Sequence, residues 1–412
     1  MTASIAQKMK SIELFAGAGG LGMAVSSAGF KPVQIVEWDN YCCETITANI
    51  SRGVKAVSNW PLTHDDIRNV DFKSFEDRVH LVTGGPPCQP FSLGGKHRAH
   101  GDARDMFPEA VRTVREVRPQ AFIFENVKGL TRPAFANYLE YIRLQMIHPE
   151  LTRQVDESWE AHHSRLEAHE TRGRTRGLHY NVIVHLANAA DYGVPQKRER
   201  VFFVGFRSDM KIAWSFPTET HSLEALAWAQ YRNEAYWEKH KLRWQDRAFS
   251  ERIRSRAWKA DLKPSTKPWR TVRDAIGDLP DPELNLHQSQ KLNNHRYQAG
   301  ARPYLGHTGS VLDEPAKTLK AGVHGVPGGE NMLMRADGSC RYFTIRESAR
   351  LQTFPDEFVF DGTWSESMRQ LGNAVPVQLA EVVAKDVSRV LKEKNGGRTL
   401  QPTRKAKSRA QH

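Results

Sequence analysis

Nowhere in these 412 residues does an uninterrupted apolar run approach the roughly 18 positions that a membrane-spanning helix needs, so no membrane partner is expected. The opening MTASIAQKMK lacks the apolar core of a secretory signal, and a cytoplasmic protein is expected. Cysteine is scarce: Cys42, Cys43, Cys88 and Cys340 are the only ones, with no CxxC pair and no histidines at zinc-finger spacing. That argues against a disulfide framework and a structural metal, and predicts reduced thiols. Internal repeats are absent as well.

Negative charge is in deficit, and the deficit is local. Of the net charge of +12, the stretch from Tyr231 to Arg273 carries 13 Lys/Arg against 5 Asp/Glu, and Leu391 to His412 carries seven against one. The remainder is near neutral, the pattern of a polyanion-binding surface attached to an otherwise ordinary enzyme. Trp237, Trp244, Trp258 and Trp269 interleave with the first basic stretch, and are expected to serve more as apolar core anchors than as ligand contacts.

From Lys10 onward, strand-like and helix-like segments alternate: SIELF, a helix from Leu21, VQIVEW, a helix from Asn40, VHLVTGG, a helix over Asp105 to Val117, AFIFENV, a helix over Phe135 to Met146, then YNVIVHLANA and RVFFVGF. This predicts an α/β fold, a doubly wound, mostly parallel sheet covered on both faces. The pattern stops near Arg207. Trp/Arg-rich and then Pro/Gly-rich stretches follow, reading as a second, smaller, loop-rich domain, before QLAEVVAKDVSRVLKE predicts a terminal helix that packs back on the first.

Within ELFAGAGGLG, Gly17, Gly19 and Gly22 form G-x-G-x-x-G between a strand and a helix, where backbone approaches a ligand. Glu37 ends the next strand and is placed to accept hydrogen bonds from ribose hydroxyls, with Trp38 offering a flat face to adenine. An adenosine-containing cofactor follows, NAD or S-adenosylmethionine. Further on, TGGPPCQPFSLGG sets Cys88 among prolines and glycines. These cannot form a helix or a central strand, so the thiol sits in a loop at the ligand-binding edge of the sheet, where it can be exposed and activated.

The chain resembles the DNA (cytosine-5) methyltransferases of bacterial restriction-modification systems. Six motifs occur in the family's order: ELFAGAGGLG, GGPPCQPFS, ENV at Glu125 to Val127, YGVPQKRER at Tyr192 to Arg200, RESARLQTFPD at Arg346 to Asp356, and QLGNAVP at Gln370 to Pro376. The resemblance implies a Rossmann-like catalytic fold and a nucleophile, Cys88, whose thiolate adds to C6 of cytosine so that C5 becomes nucleophilic. Glu125 would protonate N3, its pKa raised by a buried, charge-poor site, while Asn126 fixes the loop carrying it. Arg198 and Arg200, two apart on a strand and thus on one face, would hold the base and orient the acid. For S-adenosyl-L-methionine the resemblance assigns Phe15, Ala16, Gly17, Gly19, Gly20, Glu37, Trp38, Asp66, Ile67 and Asn373. Gln89, Ser92 and Thr318 are assigned to DNA, and the pairs Gly84, Gly85 and Gly94, Gly95 to hinges of a closing loop. No metal is expected.

The implied organisation is a catalytic and cofactor-binding domain over 1–211, completed by 366–393, a target-recognition domain over 212–342, a junction over 343–365 and a basic, disordered tail over 394–412. The expected partner is double-stranded DNA, from which the cytosine is flipped out, with a cognate restriction endonuclease acting independently and the enzyme itself a monomer. Three rivals differ in what they require. An RNA cytosine methyltransferase of the related branch would carry Cys-Phe-Thr, which is absent. An NAD oxidoreductase accounts for the glycines and Glu37 but not for the cysteine loop, and a silent DNA-binding relative does not account for Cys88 with Glu125.

Overall fold

The computed structural model describes residues 8–87, 105–173, 177–304, 308–322 and 331–396. Its centre is a seven-stranded sheet of β1 (Lys10–Leu14), β2 (Lys31–Glu37), β3 (Leu62–His64), β4 (Leu81–Gly84), β5 (Ala121–Val127), β6 (Tyr180–Asn188) and β7 (Glu199–Arg207), in the order β3-β2-β1-β4-β5-β7-β6. The first five are parallel, and β7 runs antiparallel to both neighbours. The expected mostly parallel sheet is present. Its one reversed strand has a simple cause: between Asn188 and Glu199 the chain makes only a 3-10 turn, Ala189–Tyr192, too short to cross over and restart in parallel.

Strand β5, AFIFENV, is apolar through its first four residues because both faces are covered. Phe122 and Phe124 point into a layer containing α3 (Phe107–Val117), α4 (Ala136–Ile147) and α5 (Trp159–Thr171), whereas Ala121 and Ile123 point into the opposite layer. That second layer is α1 (Gly20–Ser27) packed against the terminal helix Val377–Asn395, whose Leu379, Ala380, Val383, Ala384, Val387 and Leu391 recur at helical spacing and are buried. Helix α2 (Asn40–Ser51), capped by Asp39 through Cys42 N at 3.0 Å, packs beside β3. Helix α5 was not signalled by periodicity. Its His- and Glu-rich sequence buries little beyond His162 and Leu166, and Trp159 meets Tyr141 edge-on at 5.5 Å.

Beyond β7 the chain runs through short elements joined by loops and builds two apolar cores. Helices α6 (Leu223–Tyr231), α7 (Ala235–Lys239) and α8 (Glu251–Lys259) surround Trp237, with β8 (His221–Ser222) paired to β9 (Lys267–Pro268) at their base. The second core joins α9 (Val272–Ile276) to Leu319, Leu333, Phe343 and Leu351. The short α10 (Leu286–Ser289), the paired strands β10 (Met332–Met334) and β11 (Cys340–Tyr342), and α11 (Ile345–Leu351) follow along this part of the chain. Residues 345–374, ending in α12 (Trp364–Asn373), then pack Ile345, Phe354, Phe358 and Met368 against Ile35, Ile46 and Trp60 of the first half; the terminal helix is α13. Among the described residues no helix is long and apolar enough to cross a membrane, and no cluster of metal-ligating side chains occurs.

Candidate active site

The carboxyl ends of β1, β2, β4 and β5 bring together the turn 15–19, Glu37, Gly84–Pro86 and Glu125. Phe15 takes the left-handed conformation (φ 53°), as does Gly17 (φ 54°), a backbone that is uncommon for a bulky side chain such as Phe15. A Cβ built on Gly17 would have nothing within 4 Å, so this glycine leaves open space in front of the turn. Glu37 is buried and closes the turn from the neighbouring strand. Its Oε2 accepts from Gly17 N at 2.6 Å, and its Oε1 accepts from Trp38 N and Asp39 N at 2.9 and 2.8 Å. Burial pushes the Glu37 carboxyl up while these backbone donors hold it down. Oε2 retains capacity for one further donor, which suits a ligand hydroxyl. Trp38 beside it is 67% exposed.

The other glycines of the motif face protein. A Cβ on Gly19 (φ 88°) would lie 2.7 Å from the Trp60 ring, one on Gly22 2.9 Å from the same ring, and one on Gly20 2.5 Å from the carbonyl oxygen of Val375. Trp60 carries no motif, and only the structure reveals it. Ala16 and Ile67 are buried; Asp66 caps the 3-10 turn Ile67–Asn69 and pairs with Arg68 at 2.5 Å. Asn373 is exposed at the end of α12.

Glu125 is carried by strand β5, not by a loop. In the β5–β7 register it lies opposite Phe202, so Arg200 is its diagonal neighbour on the same face, and Arg200 Nε comes within 2.6 Å of Glu125 Oε1. The site is therefore not charge-poor. Burial raises the Glu125 pKa against the opposing pull of Arg200 and Arg198. Asn126, on the other face, donates from Nδ2 to the Pro86 carbonyl at 2.9 Å, so it anchors the base of the cysteine loop instead of the acid. A Cβ on Gly85 would stand 3.2 Å from Glu125 Oε2: the chain three residues before Cys88 passes directly over the acid. Gly84 does not act as a hinge, being buried in β4 with the Leu14 carbonyl oxygen 2.6 Å from where a Cβ would sit. Cys88, Gln89, Ser92, Gly94 and Gly95 lie outside the described residues.

Arg198 and Arg200 do different work, although both are buried. Arg198 precedes β7 by one residue, and its guanidinium donates to the carbonyls of Leu319 at 2.7 Å, Gly372 at 2.5 Å and Ala374 at 3.0 Å. It thereby ties the strand carrying Arg200 to two distant chain segments. Thr318 reinforces this by donating from Oγ1 to Lys197 O at 2.7 Å, and Gln196 Oε1 accepts from Leu319 N at 3.0 Å.

The basic stretch is partly neutralised from within. Lys239 pairs with Asp274, Arg243 with Asp246, Arg247 with Glu234, Arg252 with Glu314, Arg254 with Glu251, Arg256 with Glu224 and Arg273 with Asp313. Among the described residues Arg232, Lys241, Lys259, Lys263, Lys267 and Arg270 make no ion pair, and Arg232 lies between Trp228 and Trp258 at 5.0 and 4.9 Å. Of the four tryptophans, Trp237 is core and Trp269 half-buried, whereas Trp244 and Trp258 are 67% and 63% exposed.

Residues 9–148 and 167–389 match the family model of the C-5 cytosine-specific DNA methylases; the intervening residues 149–166 include the first half of α5. The chain is 32% identical over 387 residues to the Type II methyltransferase M.PspPI of Psychrobacter sp. (strain TA137), covering 92% of this chain and 79% of that protein. It is 30% identical over 388 residues to the Type II methyltransferase M.Eco47II of Escherichia coli, covering 93% and 80%. The crystal structure of the S. pombe Dnmt2 methyltransferase superposes with a TM-score of 0.52 at 18% identity, over 94% of this chain and all of that one, a likeness of fold.

Proposed function

Because this chain belongs to the C-5 cytosine-specific DNA methylases and is a DNA (cytosine-5-)-methyltransferase, we propose that it methylates one cytosine within a specific short sequence of double-stranded DNA, as the modification enzyme of a restriction-modification system. S-adenosylmethionine is the cofactor we assign. The turn fits it: an open face at Gly17, one free acceptor site on Glu37, and the exposed ring of Trp38. When bound, it would supply an electrophilic methyl group.

The chain's own residues would do the rest. The target cytosine leaves the stack at a cost of a few kcal/mol, met by contacts in the pocket. The Cys88 thiolate then forms an S–C bond to C6, and the electron pair of the C5–C6 double bond is drawn toward N3. Glu125 gives its proton to N3, with Arg200 fixing the carboxyl orientation. The resulting enamine attacks through C5. Loss of the C5 proton to a base then expels the thiolate, and N3 returns its proton to the Glu125 carboxylate, which restores both the neutral ring and the acid. The observation that carries this reading is the placement of a buried acid, held by Arg200, directly under the chain that leads to Cys88.

In this reading residues 1–211 with 366–393 perform transfer, and 212–342 recognise the target. The enzyme acts as a cytoplasmic monomer, beside an endonuclease that works independently. Sequencing genomic DNA for 5-methylcytosine after expression tests activity and reveals the site. Cys88→Ala is expected to abolish methylation, and Glu125→Gln to lower turnover by about 10²-fold or more with cofactor affinity little changed. Methyl transfer by the Cys88→Ala protein would refute the covalent route. A collapse of cofactor affinity in Glu125→Gln would remove Glu125 from its role as acid.

A further inference from the structure

Two of the three glycines in G-x-G-x-x-G face a tryptophan and not open space. Trp60 is buried, and its indole Nε1 donates to Ser26 Oγ at 3.2 Å, at the end of α1. The far edge of its six-membered ring lies under the turn. A Cβ at Gly19 would be 2.7 Å from both Cη2 and Cζ3, and one at Gly22 would be 2.9 Å from Cη2 and 3.1 Å from Cζ2. Real Cβ atoms do not come this close, so the ring fixes the height of the turn and of the first helical turn above it. On its other side Trp60 leads directly into β3, through Pro61, whose carbonyl accepts from Ile35 N at 3.0 Å, and thence to Asp66 and Ile67.

We infer that Trp60 is a positioning residue for the cofactor. Its ring is the pedestal on which the glycine turn rests, and it locks that turn to the β3 segment, so that Gly17, Glu37 and Asp66–Ile67 keep one spacing. This rests on the cofactor assignment above. Gly22 is then a glycine because of the ring, Gly19 because of both the ring and its left-handed backbone (φ 88°), and only Gly17 faces open space for a ligand.

Gly22 provides the test. It lies inside α1, where alanine is conformationally favoured, so the Trp60 ring is the main obstacle to a methyl group there. Phenylalanine at position 60 would withdraw the ring atoms that Gly22 touches. Binding of S-adenosylmethionine is measured by calorimetry for the wild type, Gly22→Ala, Trp60→Phe and the double variant, beside DNA affinity without cofactor and the midpoint of thermal unfolding. Gly22→Ala is expected to weaken cofactor binding at least tenfold and leave DNA affinity within about twofold. Trp60→Phe should weaken cofactor binding a few-fold, and the double variant should return to within about threefold of Trp60→Phe, the non-additivity of residues in direct contact.

Additive losses in the double variant, or wild-type cofactor affinity in Gly22→Ala, would overturn the pedestal. If Gly22→Ala does not fold alone, folding restored by Trp60→Phe supports the inference, and failure in both backgrounds overturns it. A wild type that binds no S-adenosylmethionine refutes the cofactor assignment instead; coupling in the thermal midpoint then still decides whether the ring supports the turn.

Discussion

Glu13 illustrates how much a single side chain can do without appearing in any motif role. It lies in the middle of β1, 3% exposed, where Thr83 Oγ1 and the backbone N–H of Gly22 donate to its carboxyl. Burial outweighs those donors and pushes its pKa up to about 8. A carboxyl whose folded pKa lies above its unfolded value binds its proton more tightly in the native state. The stability it confers is therefore complete below about 4.5 and is lost as pH rises toward about 8. Glu13→Gln, which resembles the protonated form, should flatten this dependence. Between pH 5 and pH 9 the unfolding midpoint of the wild type should fall by more than that of the variant, and parallel curves would mean that Glu13 is not neutral in the folded protein. Such properties are hard to read from residues in order. The position of Glu37 against the glycine turn was legible because it ends the strand next to that turn, but the different partners of Arg198 and Arg200 were not: the carbonyls that hold Arg198 belong to residues more than a hundred positions away.

At the scale of elements, the pairing of β5 with β7 decides where the acid sits, so defects there should reach the site. Gly205 lies opposite Phe122, and a Cβ on it would be 2.2 Å from Phe122 Cζ. Gly205→Ala is expected to destabilise the protein by about 1–3 kcal/mol, the usual cost of overpacking a core, visible as a lowered unfolding midpoint in denaturant. An unchanged midpoint would show that the Phe122 ring moves aside freely. The strands themselves were legible because apolar runs such as AFIF and VFFV are short and bounded. The direction of β7 was not, since strand propensity is the same either way and only the short connection sets it. Helix α5 escaped notice for the opposite reason: Tyr138, Tyr141 and Leu166 hold it in place through tertiary packing, and its own sequence is too polar to show an apolar stripe.

For the molecule as a whole, charge counted along the chain overstates charge available to a partner. On the proposed assignment of this region to DNA, the cations expected to neutralise phosphates are those without an internal carboxylate. Replacing Lys259, Lys263 and Lys267 together by alanine should weaken DNA binding at every sequence and reduce the slope of log K against log salt by about 0.9 for each phosphate that is no longer neutralised. Replacing Arg243, Arg254 and Arg256, each held by a neighbouring acid, should change that slope less. Anisotropy titrations across a salt series distinguish the two, and equal slopes for both triple variants would show that the internal pairs open on binding. The α/β half was readable in sequence because its strands and helices alternate in short, bounded segments. The two apolar cores beyond β7 were not, because Trp237 and Val272 differ in environment and not in residue type, and the second core draws Phe343 and Leu351 from farther along the chain. One architectural fact also bears on how the protein is made. Helix α1 is finished by α13, more than three hundred residues later. On a ribosome adding about 5–20 residues per second, the apolar side of α1 waits on the order of 20 to 70 s for its partner. Throughout that interval the nascent chain presents a sticky, unfinished face, so its yield in the cell depends on chaperones and on the speed of translation as well as on the stability of the completed fold.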